Sequence, residues 1–478
     1  QPTRLDRFEK RLESEQPGYG LGRYIANLSC PVGIRRFELA RVGLIGGEQL
    51  AAELSYCAQV LRLSVDDWHS QLEQRPVDFV LVESSWFEGE PEGWRQLFLG
   101  LSEQDALDQL LLYCQQQDLS CVFWHTAELT DISHFEKVAE KFDRIYGASD
   151  AICAHYQTLF PNKTIKLLLP AISPEYAHPI RGEASGLLPG LNRLSVSFDG
   201  GSRLLYQDAA GGLKTILQAF DDYLVGVYES GRQIRFGSPY DDRVDVTLKR
   251  RSLGCVDRKG GLNICRYSKA SLLLSDGQSE PKVKDYKRAL EILGCKSLLL
   301  TDVVLPEPLS DYTVYGETGQ ILRAQLDQYL TNPYASMALT HLGWCEVMRN
   351  HSYAERVKQI MSDIDRPAQR NALPKISCVV PSARPFLLKY VVEWFKSQTY
   401  ENKELVIVLN TDDYDERLEL QLKEQLPDLK FTHLPGHLNI GTVLNVGMEL
   451  AAGEYVSKWD DDDYYGPEYL SDAALYLT

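Results

Sequence analysis

The chain has 478 residues, 44% of them hydrophobic, and 50 basic against 67 acidic side chains leave a net charge of −17. That length and apolar content predict a multidomain globular protein, and the acidic balance, without any Lys/Arg cluster, excludes a nucleic-acid partner because phosphate neutralisation needs a basic face. No run of 18 apolar residues predicts a membrane-spanning helix, and ten cysteines without a CxxC pair read as reduced core thiols in a cytoplasmic protein.

The first forty residues are charged and punctuated by Gly and Pro, and read as an extension with one short helix. From Arg41 the pattern becomes regular. Short apolar runs, "RVGLIGG", "VLRLSV", "DFVLVES", "LSCVFWH", "FDRIYGAS" and "TIKLLLP", are separated by helical stretches such as "EQLAAELSYCAQ". Strands alternating with helices predict βαβ units and a parallel sheet. The loop "HPIRGEASGLLPG" closes this series. A second series runs through "RLSVSFDGGSR", "IRFGSP", "GLNICRYSKASLLLS" and "CKSLLLTD" into a long helical tail ending near Asp363. The glycines between Asp199 and Arg203 are candidates for cradling phosphate. The polar, proline-flanked "DIDRPAQRNALP" reads as a linker. The predicted organisation is an extension over 1–40, Rossmann-like lobes over 41–185 and 186–363, a linker over 364–374, and a partial α/β domain over 375–478.

The last segment carries the densest signal. "ISCVVP" predicts a strand ending in the turn Ser382-Ala383-Arg384, and "QTYENKELVIVLN" supplies the next strand. In an open parallel sheet, ligands sit at the carboxyl ends of the strands. Those ends are Pro381 to Arg384, Asn410 to Asp413, and the acidic run Asp460 to Asp463. Pro381, Ser382, Arg384, Asn410 and Asp412 are therefore candidates for ligand binding, with Asn439, Gly441 and Asn445 at a turn entering a helix. Four adjacent carboxylates repel one another and call for a counter-charge. Asp460 and Asp462, two residues apart at a strand end, can face one side and ligate a hard ion, and oxygen ligands suit Mn2+ or Mg2+. Read alone, the run is equally a solvated acidic turn. A calcium loop would need glycine where Tyr465 stands. Trp459 reads as core, while Tyr464 and Tyr465 fit either core or a sugar-stacking surface.

"ISCVVPSARP", "SQTYENKELVIVL" and "NIGTVLNVGMELAAGEYVSKWDDDDYYGPEYL" resemble the amino-terminal half of the family 2 glycosyltransferases, of GT-A fold. The resemblance implies a nucleotide-sugar site with Asp460 and Asp462 as metal ligands and Asp461 beside the nucleotide. It also implies a general base and acceptor half downstream of residue 478. "FWHTAELTDISHFEKVAEKFDRIYGAS", "LLLPAISPEYAHP" and "YKRALEILGCKSLLLTD" resemble GT-B glycosyltransferases of the spore-maturation type. There the resemblance implies that Arg288 and Glu291 face a nucleotide and makes His125 and Glu128 base candidates in an interlobe cleft. Arg288 and Glu291 are equally an i,i+3 ion pair, and a lone His at a strand end is more often structural.

The implied function is transfer of sugar from a nucleotide-sugar donor to a glycan or glycolipid acceptor in surface-polysaccharide synthesis. The expected setting is the cytoplasm, compatible with peripheral association at the inner face of the membrane. The alternatives are a single catalytic module with the GT-B-like half as scaffold, or a non-catalytic nucleotide-sugar-binding or assembly protein.

Overall fold

The computed structural model describes residues 40–84, 94, 105–180, 195–200, 212–230, 252–256, 258–275, 281–366 and 373–477. The predicted extension, the run "IRFGSP", Gly201 to Arg203 and most of the predicted linker lie outside them. The chain forms two compact bodies, Gln1–Ala368 and Gln369–Thr478.

The first body holds two parallel sheets. One lobe contains β1 (Ala40–Ile45), α1 (Glu48–Leu54), β2 (Ala58–Arg62), α2 (Trp68–Gln74), β3 (Phe79–Glu83), α3 (Ala106–Gln116), β4 (Ser120–His125), β5 (Arg144–Gly147), α4 (Asp150–Leu159) and β6 (Thr164–Leu167). Its strand order is β2-β1-β3-β4-β5-β6. Helices cover both faces, which is why "FVLVE" reads as an unbroken apolar run: a parallel strand covered twice has no polar side. Trp68, Leu72, Leu107, Leu110 and Ile152 pack α2, α3 and α4 on one face, whereas Leu50, Ala51 and Leu54 pack α1 on the other.

The second lobe contains β7 (Val196–Asp199), β8 (Val225–Ser230), β9 (Ser252–Val256), α5 (Arg258–Tyr267), β10 (Ala270–Leu273), α6 (Val283–Gly294), β11 (Leu298–Thr301) and β12 (Val314–Tyr315). The order β12-β11-β10-β7-β8-β9 is the doubly wound Rossmann order, with its reversal between β7 and β10. The run "GLNICRYSKASLLLS" divides: its first half completes α5 and only Ala270–Leu273 is strand. Buried Leu262, Ile264 and Cys265 supply the apolar content of its helical half. The last helix of this body, α7 (Tyr353–Asp363), returns to the first lobe. Tyr353, Val357, Ile360 and Met361 join the cluster around Val42 and Leu44, and Asp363 accepts from the Tyr146 hydroxyl at 2.9 Å.

The second body contains β13 (Ile376–Ser382), α8 (Leu388–Ser397), β14 (Lys403–Asn410), α9 (Glu416–Gln425), β15 (Lys430–Leu434), α10 (Ile440–Leu450), β16 (Tyr455–Lys458) and α11 (Tyr469–Ala474). The sheet order is β15-β14-β13-β16, all parallel. The chain winds from β13 outward to β15, then returns to the other side of β13. That reversal opens a crevice between the carboxyl ends of β13 and β16. Pro381 is tolerated in the middle strand because β16 pairs β13 only as far as Val379.

A buried carboxylate ties the opposite, amino edge of this sheet together. Glu404 accepts from the Ser377 hydroxyl and the Ala452 N–H, both at 2.6 Å, and pairs with Lys375 at 2.7 Å and Lys430 at 3.1 Å. Burial alone would raise its pKa, but these donors outweigh it and hold the group at about 2. No helix among the described residues is long and apolar enough to cross a membrane.

Candidate functional site

The acidic run leaves β16 directly at the crevice beside β13. Trp459 is fully buried and anchors the turn: its N–H donates to Val379 O at 2.9 Å, and its ring stacks on Tyr465 with centroids 4.1 Å apart. The Tyr465 hydroxyl in turn accepts from the Asp460 N–H at 2.7 Å. Tyr465 is thus a structural part of the turn, whereas Tyr464 is 71% exposed.

With the turn so anchored, the carboxylates divide. Asp461 points inward, 4% exposed, and accepts from the Ser382 hydroxyl and from Arg384, whose Nε lies 3.1 Å away. Asp460 and Asp462 stay half-exposed, paired with Lys458 and Arg384 respectively, the latter at 2.9 Å. Asp461 and then Asp462 hold the Arg384 guanidinium above its ordinary pKa, and Arg384 holds Asp462 below its own. Ser382 also accepts from the Arg384 N–H at 3.0 Å, closing the turn after β13. Four of the predicted residues therefore meet as a unit, Ser382, Arg384, Asp461 and Asp462, while Asp460 stands beside them on Lys458.

The other predicted residues of this body stand apart. Asn410 donates to Pro435 O at 2.5 Å, and Asp412 accepts from the Gly436 N–H at 2.8 Å, so both tie the ends of β14 and β15 together on the far side of β13. Asn439 caps α10 by accepting from the Thr442 N–H at 3.0 Å. Gly441 and Asn445 are exposed on α10, and no hydrogen bond among the described residues joins them to the acidic run. Gly447 packs α10 on the sheet, since an added Cβ would meet Val379 Cγ1 at 2.5 Å.

In the first body the predicted cleft residues are occupied by contacts of their own. His125 is fully buried, its Nδ1 2.8 Å from the Tyr156 hydroxyl, and burial holds its pKa down at about 4. Glu128 crosses between the lobes and accepts from the N–H groups of Val283 and Lys284, at 3.1 and 3.0 Å, at the start of α6. It fills the anion-favouring end of that helix.

Arg288 and Glu291 pair with each other at 3.0 Å, which meets the ion-pair alternative. Glu291 also takes Arg258 at 2.9 Å, and Arg258 reaches across to Glu53 of α1. Lys287 lies 3.4 Å from the same Glu53 and 3.2 Å from the Tyr353 hydroxyl. Burial would raise the Glu291 pKa, but Arg258 and Arg288 outweigh it and leave the carboxylate ionised. Sequence reasoning passed over Glu53, which is fully buried in α1; its one signal is a charge on the apolar face of "EQLAAEL".

Residues 384–478 match the profile of Glycosyl transferase family 2. No curated protein matches the chain. Among solved structures, Staphylococcus aureus TarS 1–349 is similar at 26% identity, over 21% of this chain and 31% of that one, with TM-score 0.20. A mannosyltransferase from Pyrobaculum calidifontis, solved with GDP-Man and Mn2+, is similar at 23% identity over 23% and 33%, with TM-score 0.20. HepE from Anabaena, solved with UDP-glucose, is similar at 10% identity over 67% and 91%, with TM-score 0.42. The chain spans about a third of the length of the first two.

Proposed function

We propose that the carboxyl-terminal body binds a nucleotide-sugar donor and that the protein acts as a glycosyltransferase on a glycan or glycolipid acceptor of a surface polysaccharide. The observation that carries this reading is the position of the Asp461–Arg384–Ser382 unit at the carboxyl ends of β13 and β16, where the sheet reverses. The match of residues 384–478 to a glycosyl transferase family supports it.

The donor set fits a hard divalent cation. Asp460 and Asp462 offer oxygen only, both reach solvent, and each is balanced by one side-chain cation that a metal can displace. These two residues would hold Mn2+ or Mg2+, which when bound neutralises charge on a diphosphate leaving group. Asp461 has a different task. It fixes Arg384 and Ser382 at the crevice, so a guanidinium and a hydroxyl are already placed when the ligand arrives. Trp459 and Tyr465 keep the turn from swinging, which preserves the spacing of the carboxylates.

Calorimetric titration of the full chain with UDP or GDP in the presence of Mn2+ tests the reading. Asp462→Ala is expected to weaken binding at least about tenfold, the loss of one metal ligand. Equal affinities for wild type and variant would remove the metal assignment.

A second reading applies to the first body, as a scaffold without transfer chemistry of its own. It is favoured by the enclosed His125, by Glu128 seated on α6, and by Arg288 and Glu291 spent on each other. If the whole chain transfers sugar, Glu128→Gln should leave that rate within about twofold, because a group that takes no proton contributes none of the 10²–10⁴-fold of base catalysis. A hundredfold loss would make Glu128 catalytic.

A further inference from the structure

A groove of about 720 Å³ lies between α2 and α3 of the first lobe. It is on the sheet face opposite α1 and α7, away from the Glu53 and Arg258 contacts. Trp68, 7% exposed, forms its floor. Around it stand His69 and Tyr113, with ring centroids 5.4 and 5.7 Å from Trp68 and 5.0 Å from each other, at interplanar angles of 63 to 69°. This makes an aromatic corner with faces turned in different directions. Asp66, Asp105, Gln109 and Gln116 complete the polar lining. Asp105 precedes α3 at the N-cap position, yet its carboxylate makes no capping bond. Among the described residues, no hydrogen bond occupies the side chains of Asp66, Asp105 or Gln109, which are exposed, so their polar atoms face solvent.

We propose that this groove is a binding site for a neutral oligosaccharide. A pyranose presents C–H groups on its faces and hydroxyls around its rim. The aromatic corner suits the faces, and carboxylate and amide groups in one small space suit the rim, since a carboxylate accepts two hydroxyls and an amide both donates and accepts. The volume falls within the range of small-ligand sites and accommodates a short glycan rather than a single ring. The charge sets the class. None of the ten lining residues is Lys or Arg and two are Asp, so phosphorylated, nucleotide and uronic-acid ligands are repelled. The site stands independently of the nucleotide crevice in the other body, and it gives the protein a means of holding a neutral glycan chain.

Saturation-transfer NMR and calorimetry on the full chain test this, using neutral gluco- and galacto-oligosaccharides of two to six units, a hyaluronan oligosaccharide and oligolysine. Binding of at least one neutral series is expected, weakened at least about tenfold by Tyr113→Ala and measurably by Asp105→Asn. Trp68 belongs to the core, so it is left in place. Far-UV circular dichroism and the thermal unfolding of the first body are expected to be the same for wild type and both variants, which shows that they fold, and unchanged titration with UDP and Mn2+ separates this site from the crevice. Absence of binding by every neutral series, equal affinity in wild type and Tyr113→Ala, or preference for hyaluronan or oligolysine would each overturn the proposal.

Discussion

At the scale of single residues, the four aspartates of the acidic run are not equivalent, and their surroundings predict different losses. Asp461 is buried and accepts from two side chains. Asp461→Asn is expected to cost about 1–3 kcal/mol in urea unfolding, because the amide leaves Arg384 with a poorer acceptor. It is also expected to weaken UDP–Mn2+ binding about tenfold in calorimetry. Asp463→Asn, on the exposed side, should move stability by less than about 0.5 kcal/mol. Glu404 makes a pH prediction. Its folded pKa, about 2, lies below the ordinary glutamate value, so its contribution is complete above about pH 5 and is lost as pH falls toward 2. The stability gap between wild type and Glu404→Gln should therefore narrow steadily from pH 5 to pH 3. A constant gap would mean that packing, not charge, is what Glu404 supplies.

At the scale of elements, α10 decides how closely the second body is built. Asn439, Gly441 and Asn445 read as amide and small groups at the turn entering this helix; in the structure Gly447 faces the sheet and Asn439 accepts from the Thr442 N–H. Gly447 sets the packing distance and Asn439 caps the helix. Gly447→Ala would press a methyl against Val379, and overpacking of this kind typically costs about 1–3 kcal/mol. Asn439→Ala removes an N-cap at about 0.5–2 kcal/mol. Thermal scans should show either loss, and for Gly447→Ala a lowered UDP–Mn2+ affinity only in proportion to the unfolded fraction. A large loss of affinity at unchanged stability would place Gly447 on the binding surface.

At the scale of the molecule, the first body is held across its two lobes by few but buried charges. Glu53 from one lobe meets Arg258 and Lys287 from the other, and Glu128 completes α6 from across the gap. Removing one partner of such a set leaves an uncompensated buried charge, typically at about 3–5 kcal/mol. Differential scanning calorimetry of the full chain is expected to resolve two transitions, one lowered by Glu53→Gln and the other by Gly447→Ala. Both substitutions lowering a single transition would show that the two bodies unfold as one cooperative unit.

The repeating apolar runs were enough to read three parallel α/β units in this chain, because a strand covered on both faces must be apolar throughout and helices must intervene to return it parallel. The same local logic marked the ends of those strands, including the acidic run and Ser382-Ala383-Arg384. Local pattern could not tell which aspartate turns inward. That depends on Trp459 and Tyr465 stacking beneath the turn, and on β16 lying beside β13 through a return of the chain that no short window contains. Nor could it show that Glu128 would meet the start of α6, 155 residues away, or that a charge in "EQLAAEL" would find Arg258, 205 residues away. Periodicity is set by neighbours along the chain, whereas the partner of a buried charge is set by the approach of surfaces distant in sequence, and that approach exists only in the folded molecule.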